Sequence, residues 1–186
     1  MSLELSDKRL VIEIKSGNRD AFGILYDKYV DAIYRFVLFK VGNQQEAQDI
    51  TSESFIKAWK YIVEQQNIKN PRALIYKIAR NLVIDYYRTN KSRISVDIES
   101  VALHLASNES DTPQGAYLKT EIQETVMKAL AEIKDEYREV IILKFVEGVS
   151  IGEIAKILNR SHGAIRVLIH RATKALKSVL AVNKDP

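Results

Sequence analysis

The segment SIGEIAKILNRSHGAIRVLIHRATKAL, residues 150–176, decides the fold of the C-terminal part of the chain. Ser150 and Glu153 have the spacing of a capping box, in which a hydroxyl and a carboxylate bind free backbone N–H groups at a helix start. The helix that they begin is short, because a tight turn follows at Asn159 and Ser161 has the position of a second cap. The segment therefore predicts two helices joined by a tight turn.

The spacing within this segment is that of a helix-turn-helix. Counted from Ile151, the fifth position is Ala155, the ninth is Asn159, and the fifteenth and eighteenth are Ile165 and Leu168. A small fifth residue lets the second helix cross closely, and asparagine at the ninth tolerates a left-handed backbone. The two apolar positions seat the second helix against its neighbours. We therefore predict a helix-turn-helix here.

The face of the second helix opposite its apolar residues is polar and basic. Helical periodicity places on it His162, Arg166, His170, Thr173, Lys174 and Lys177. Such a stripe can lie in the major groove of DNA, with its first turns at base edges and its later lysines at phosphates. The alternative is a helical hairpin whose basic face is only solvated. We favour the reading of duplex DNA.

A second basic helix is predicted from Pro71 to about Asn90. One face carries Lys77, Arg80, Asn81, Ile84, Arg88 and Lys91, and the opposite face carries Ile75, Leu82 and Tyr86. The amide of Asn81 can hydrogen-bond a base edge. Tyrosines 76, 86 and 87 either stack on unpaired bases or belong to the core. As for the other stripe, a merely solvated face is the alternative.

The charges alternate along the chain in blocks. Residues 72–93 hold six basic and one acidic side chain, residues 94–125 one basic and six acidic, and residues 151–186 seven basic and two acidic. Lysine and arginine release counterions from phosphates, so each basic block indicates a polyanion as ligand.

The remaining periodicity is helical, and it predicts an all-α protein of two helical domains. Helices are expected over Asp7–Ser16, Asp20–Phe39, Gln44 to about Val63, and Asp135–Glu147, with breaks at Gly17-Asn18 and Gly42-Asn43. The segment 93–113 is rich in Ser, Asp, Glu and Asn and predicts a flexible linker. The expected domains are residues 1–93 and 117–186, the second a four-helix unit with the helix-turn-helix, joined by an acidic linker over 94–116.

The composition argues against several classes of protein. The 186 residues include no cysteine, which excludes disulfides, thiolate metal sites and a cysteine nucleophile and suits the cytoplasm. Apolar runs are too short for a membrane-spanning helix, and the first residues lack a signal-peptide core. His104, His162 and His170 are the only histidines, and no metal-ligand spacing of the EF-hand or HExxH type occurs. We expect no catalytic residue, metal or cofactor; a nuclease or RNA-modifying enzyme is the alternative that these observations oppose.

Three segments in order carry a resemblance to a known family. AQDITSESFIKAWKYI (47–62), NPRALIYKIARNLVIDYYR (70–88) and ALAEIKDEYREVIILKFVEGVSIGEIAKILNRSHGAIRVLIHRATKAL (129–176) resemble the second and fourth conserved regions of bacterial sigma factors, in the arrangement of the extracytoplasmic-function (ECF) group. The resemblance implies a cytoplasmic transcription initiation factor that binds core RNA polymerase and promoter DNA and is held by an anti-sigma factor. The alternative is a helix-turn-helix regulator that is not a polymerase subunit.

The resemblance also implies roles for particular residues. The positions that match the surface docking on the clamp helices of the largest polymerase subunit are Asp49, Ser52 and Glu53. For minus-ten strand capture, Asn81 matches a position near the flipped base, and Arg80 and Arg88 match positions on the strand backbone. Lys77 and Lys91, on the same basic face, complete the candidate minus-ten site. Arg166, Val167 and His170 match positions that face the minus-thirty-five element, and Arg171 matches one that contacts the backbone. The stripe residues His162, Lys174 and Lys177 complete the candidate minus-thirty-five site. Val167 favours contact with a thymine methyl group.

Overall fold

The computed structural model describes residues 6–64, 68–89 and 125–182, and within these ranges it contains helices and no strand. The expected all-α fold is confirmed. The helices are α1 (Asp7–Lys15), α2 (Arg19–Val41), α3 (Gln44–Glu64), α4 (Pro71–Thr89), α5 (helical over 125–132), α6 (Asp135–Ile141), α7 (Ile151–Leu158) and α8 (His162–Val182). The predicted linker over 94–116 and Lys91 lie outside the described residues.

The ends of the first helices are set by local side chains. Asn18 accepts hydrogen bonds from the backbone N–H groups of Asp20 and Ala21 at 3.0 and 3.3 Å and so caps α2. Gly42 ends α2 with φ 67°, and its N–H donates to the Leu38 carbonyl at 2.8 Å. The predicted break at Gly42-Asn43 is confirmed, and α2 extends two residues beyond the expected end.

Helices α1 to α4 pack around a core of aliphatic and aromatic side chains. Phe22 meets Trp59 edge to face with ring centroids 4.8 Å apart, and Phe36 meets Tyr76 in the same way at 5.4 Å. Leu25 and Ile33 are fully buried between them. This packing fixes α4 against α2 and α3 and leaves one side of α4 facing away from the core.

The segment that follows α6 departs from the sequence prediction. A single helix was expected over Asp135–Glu147, but the α-helix ends at Ile141 and widens into a π-helical turn over Ile142–Val146. Within it the Glu147 N–H donates to the carbonyl of Ile142 at 3.0 Å. Because a π-helical turn contains an extra residue, it changes which side chains face inward. Glu147 is only 7% exposed as a result, whereas Phe145 and Val146 face solvent.

The predicted helix-turn-helix is present in α7 and α8. Ser150 and Glu153 form the capping box, with the Ser150 hydroxyl donating to the Glu153 carboxylate at 2.7 Å. Asn159 is left-handed, with φ 52° and ψ 49°. Ile165 and Leu168 are buried against the neighbouring helices. Each of these features was expected from the spacing of the sequence.

The helices on the two sides of the undescribed segment pack against each other. Helix α7 lies against α4, and one cluster of buried apolar side chains runs through α1–α4 and α5–α8. Charged side chains also meet at this contact, as described below. The first helix of the helix-turn-helix is therefore held on the N-terminal helices, while much of α8 faces solvent.

The left-handed Asn159 gives a test of the turn. Replacing it with valine should lower the free energy of unfolding by about 1–2 kcal/mol, because a β-branched side chain is strained at positive φ. Asn159→Gly is the matched control, since glycine adopts this conformation freely. Urea unfolding measures both variants. Equal losses of stability in the two would contradict the assignment of the effect to backbone strain.

Candidate nucleic-acid interface

The face of α8 predicted to read duplex DNA is open to solvent. The exposed residues on it include every predicted position: His162, Arg166, Val167, His170, Arg171, Lys174 and Lys177. Thr173, which shares the stripe, is half-buried and its hydroxyl donates to the Ile169 carbonyl at 2.8 Å. The opposite face buries Ile165, Leu168 and Ala172. The helix thus presents a continuous basic surface on a side that the core does not use.

The predicted basic face of α4 is exposed over most of its length. Lys77, Asn81 and Arg88 face solvent, and Ile84, which lies among them, is 40% exposed. Arg88 lies 3.4 Å from the carboxylate of Asp85 on the same helix. The amide of Asn81 and the apolar surface of Ile84 are therefore flanked by two cations.

Arg80 differs from its neighbours on this face. Its side chain is mostly buried, and its Nε donates to the Glu139 carboxylate of α6 at 3.0 Å. Glu139 is 4% exposed and also lies 3.8 Å from the ammonium group of Lys40. In this arrangement Arg80 is bound to the C-terminal helices and its side chain is 28% exposed.

The tyrosines of α4 take up positions in or near the core. Tyr76 is fully buried, and its hydroxyl donates to the Glu147 carboxylate at 3.4 Å. Tyr86 and Tyr87 are half-buried, and the Tyr87 hydroxyl donates to the Lys40 carbonyl. Of the two interpretations from the sequence, the core position is correct for Tyr76, and its ring has no free face for a base in this arrangement.

Glu147 lies at the centre of the charges between the two groups of helices. Its two carboxylate oxygens accept from Nε and Nη2 of Arg35, both at 3.1 Å, and its carbonyl accepts from Arg72. Burial raises the pKa of Glu147, while hydrogen bonds from Arg35 and Tyr76 oppose the rise. The paired geometry is that of a bidentate arginine–carboxylate contact, which fixes orientation as well as distance.

Lys40 makes the second charged contact between the two groups of helices. Its ammonium group donates to both carboxylate oxygens of Asp135, at 2.7 and 2.6 Å. The Lys40 side chain is only 4% exposed. Burying a lysine is unfavourable unless it is paired. The start of α6 is therefore tied to the end of α2.

A shared cap joins the start of α4 to the start of α7. Asn70 accepts a hydrogen bond from the Ala73 N–H at 2.8 Å and so caps α4, while its amide donates to Glu153 at 3.0 Å. Burial raises the pKa of Glu153, but hydrogen bonds from Asn70 and Ser150 outweigh it and hold the pKa below the ordinary value. One carboxylate thus completes two helix starts that belong to different parts of the chain.

A cavity of about 300 Å³ opens beside this cap. Its lining combines apolar side chains with three lysines: Tyr61, Ile68, Lys69, Asn70, Ala73, Leu74, Lys77 and Lys156. Neither Lys69 nor Lys156 was predicted from the sequence. The basic residue before Asn70-Pro71 is a signal for Lys69, whereas Lys156 reaches the cavity only through the packing of α7 on α4.

A smaller groove of about 200 Å³ lies between α2 and α3. Ser52 lines it together with Tyr26, Val30, Asp31, Tyr34, Gln48 and Thr51. The predicted docking residues Asp49, Ser52 and Glu53 are all exposed on α3, and Glu53 pairs with Lys57 at 2.9 Å. Tyr26, Asp31 and Tyr34 were not predicted. The recurrence of apolar and aromatic residues at 26, 30 and 34 on one face of α2 is the signal that identifies them.

Comparison with known proteins assigns both parts of the chain. The profile of the family "Sigma-70 region 2" matches residues 25–93, and that of "Sigma-70, region 4" matches residues 123–176. The ECF RNA polymerase sigma factor SigW of Bacillus subtilis is 32% identical over 184 residues, covering 96% of this chain and 98% of SigW. BldN of Streptomyces coelicolor is 32% identical over 173 residues, covering 92% of this chain but 64% of BldN's length.

A solved structure shows the same fold. CnrH, in complex with the cytosolic domain of CnrY, superposes with a TM-score of 0.72 at 24% identity, covering 96% of this chain and 99% of CnrH. The two profile matches define a sigma-70-type factor in which region 2 is followed by region 4. The likeness to SigW over nearly the whole of both chains then specifies the group: the chain belongs to the ECF RNA polymerase sigma factors.

The family assignment settles the general function. The chain is a transcription initiation factor of the sigma type, and the region 2 match disfavours a helix-turn-helix regulator that acts without polymerase. In the described ranges, no helix has the length and apolar character needed to cross a bilayer. The same ranges contain no group of three or more metal-ligating side chains.

The low pKa of Glu153 predicts a pH dependence. A carboxylate with a folded-state pKa below its unfolded value adds stability above the unfolded pKa, and this stability is lost as the pH falls through the folded pKa. Glu153→Gln should therefore lose less free energy of unfolding than the wild type between about pH 6 and about pH 3. Urea unfolding across that range measures the difference. A wild type and variant that lose stability in parallel would contradict the role of the shared cap.

Proposed function

We propose that the chain directs core RNA polymerase to promoters through two separate DNA surfaces. The α4 surface (Lys77, Arg80, Asn81, Arg88 and Lys91) captures the minus-ten strand, and the α8 surface (His162, Arg166, Val167, His170, Arg171, Lys174 and Lys177) reads the minus-thirty-five duplex. The observation that carries this proposal is the placement of an exposed basic face in each of the two segments that match sigma regions. The corresponding domains are residues 1–93 and 117–186, with 94–116 as linker.

The α4 surface suits unpaired DNA better than duplex. Asn81 offers an amide to a base edge, Ile84 offers apolar surface beside it, and Lys77 and Arg88 flank both with positive charge. Separating base pairs costs about 1.4 kcal/mol per step. Stacking of a captured base returns about 1–3 kcal/mol. Capture of a few bases therefore favours melting without a nucleotide as fuel.

The α8 surface suits the major groove. Arg166 lies in the early turns of the helix, where side chains reach base edges, and Val167 beside it offers an apolar contact to a thymine methyl group. Arg171, Lys174 and Lys177 follow in later turns, where phosphates lie. The first turns of the helix would therefore contact bases, and its later turns would contact the DNA backbone.

The groove between α2 and α3 is the proposed docking site for polymerase. Asp49, Ser52 and Glu53 are exposed along α3 beside it, and Tyr26 and Asp31 belong to its other wall. Exposed carboxylates beside an aromatic groove fit a basic helical partner such as the clamp helices of the largest subunit. Two weak DNA surfaces become effective together once polymerase holds both near one promoter.

The proposal extends to regulation and location. CnrH was solved in complex with CnrY, and the sigma factor RpoE of Bartonella quintana with the anti-sigma factor NepR. We propose an anti-sigma factor as a partner of this chain as well. The chain acts in the cytoplasm, by binding and without catalysis of its own.

Run-off transcription with purified core polymerase and genomic fragments tests the function. The wild type should give transcripts with defined starts.

Permanganate footprinting of the open complex tests the role of Asn81. Asn81→Ala should reduce permanganate reactivity of the minus-ten region more than it reduces closed-complex binding, because base capture matters only after the strands separate. The matched control is a promoter with a preformed bubble, on which the variant should recover. Normal melting by the variant would contradict the role of Asn81, and absent transcription would contradict the function.

Arg166 and Arg171 provide a paired test of the α8 surface. Arg166→Ala should relax base preference in the minus-thirty-five element, with a loss of about 1–3 kcal/mol of discrimination at one position. Arg171→Ala, on the same helix, should weaken binding about equally for all sequences. A promoter library read by transcription measures both. An unchanged preference profile for Arg166→Ala would contradict base reading by this residue.

A further inference from the structure

One residue of the α4 surface, Arg80, is bound by a carboxylate from the C-terminal helices of the same chain, that of Glu139. We propose that Glu139 competes with promoter DNA for Arg80 of the α4 surface in the free protein, and that Glu147 and Glu153, which form an acidic edge with it, hold the C-terminal helices in this position. This inference rests on the proposed function, since it concerns the surface assigned above to the minus-ten strand. It adds that the competitor is built into the chain.

The first contact that supports this proposal is at Arg80. Its guanidinium group donates to Glu139 at 3.0 Å, which is the contact a phosphate oxygen of a bound strand would require. The side chain of Glu139 is 5% exposed and lies between Arg80 and Lys40. A strand that bound Arg80 would therefore have to displace Glu139.

The second contact is at the start of α4. Asn70 donates to Glu153, and Lys156, one turn further along α7, lines the same cavity as Lys69 and Lys77. Helix α7 therefore covers the edge of the α4 surface at its N-terminal end. From α7, Glu153 approaches this end with a carboxylate that accepts from the Asn70 amide, and Lys156 adds its side chain to the lining of the cavity.

The third contact anchors the edge behind the DNA surface. Glu147 is held by two hydrogen bonds from Arg35 and by the hydroxyl of Tyr76, so that the π-helical turn is fixed on α2 and α4. Neither of these two partners, Arg35 and Tyr76, belongs to the α4 surface. The acidic edge is thus positioned by contacts that DNA does not need to break directly.

The energetics of these contacts allow reversal. Attraction between buried ions is largely offset by the water they lose, so a buried ion pair adds little net stability relative to the separated, hydrated ions. Removing one partner while the other stays buried is unfavourable. Loss of a carboxylate from the acidic edge should therefore shift the protein towards the separated arrangement, in which Arg80 and Lys40 regain water.

Two variants of one helix separate this proposal from a general charge effect. Glu139→Gln removes a carboxylate that contacts Arg80 and Lys40, whereas Glu136→Gln removes one from the same helix that pairs with Arg160 of the C-terminal part. Both change the net charge equally. Asp135→Asn is a second variant of the first kind, since Asp135 pairs with Lys40 and its side chain is 61% exposed, so it tolerates substitution.

Two properties of the full chain and its variants are measured: the distance between the two groups of helices and the affinity for single-stranded DNA. Spin labels at Lys60→Cys and Lys128→Cys, both at exposed positions in a chain without cysteine, report the distance between the two groups of helices by pulsed electron paramagnetic resonance. Fluorescence anisotropy reports binding of a random-sequence single-stranded DNA of about 20 nucleotides, a length beyond the footprint of a small single-strand-binding fold.

Glu139→Gln and Asp135→Asn should lengthen the label distance and tighten DNA binding by about fivefold, since apparent affinity scales with the fraction of binding-competent protein. Glu136→Gln should leave the distance unchanged and tighten binding much less. Equal tightening by all three variants, or a lengthened distance with no gain over Glu136→Gln, would overturn the proposal. Failure of the proposed function is a separate outcome, seen as absent run-off transcription by the wild type.

Discussion

The pairing of Glu147 with Arg35 is the constraint on which the arrangement of the two groups of helices depends. A carboxylate with a side chain 1% exposed must have its charge matched, and here two hydrogen bonds from one guanidinium group match it. The position of the π-helical turn over α2 is thereby fixed to within hydrogen-bonding distance. Two further carboxylates of the C-terminal helices are paired in the same way: Asp135 at the start of α6 with Lys40, and Glu153 in α7 with Asn70.

The π-helical turn is what makes this pairing geometrically possible. Its wider winding places Glu147 inward and Phe145 outward, although these residues lie only two positions apart. Helix α7 follows after Gly148, which has φ 60° and redirects the chain. A local irregularity in α6 thus determines how the helix-turn-helix meets the N-terminal helices.

Much of the fold could be predicted because its determinants are local. The capping box at Ser150, the left-handed Asn159 and the break at Gly42 each depend on residues within a few positions, and each is present. Arg80 and Tyr76 could not be placed from sequence in the same way. Their partners Glu139 and Glu147 lie 59 and 71 residues further along the chain, so no periodic pattern relates them. The exposure of the α8 face was predicted correctly because no distant segment among the described residues covers it.

The two proposed DNA surfaces therefore differ in their availability. The residues of the α8 surface are exposed while α7 is packed on α4, whereas Arg80 is bound to Glu139 in the same arrangement. This difference matches the order in which their proposed ligands would become available, because duplex DNA is present from the start and unpaired bases appear only after melting. A surface for single strands that stays engaged within the chain until the helices separate would not retain stray nucleic acid. The charge pairs at this contact are weak in net terms because of desolvation, so a partner that separates the two groups of helices has mainly their shared apolar contacts to overcome.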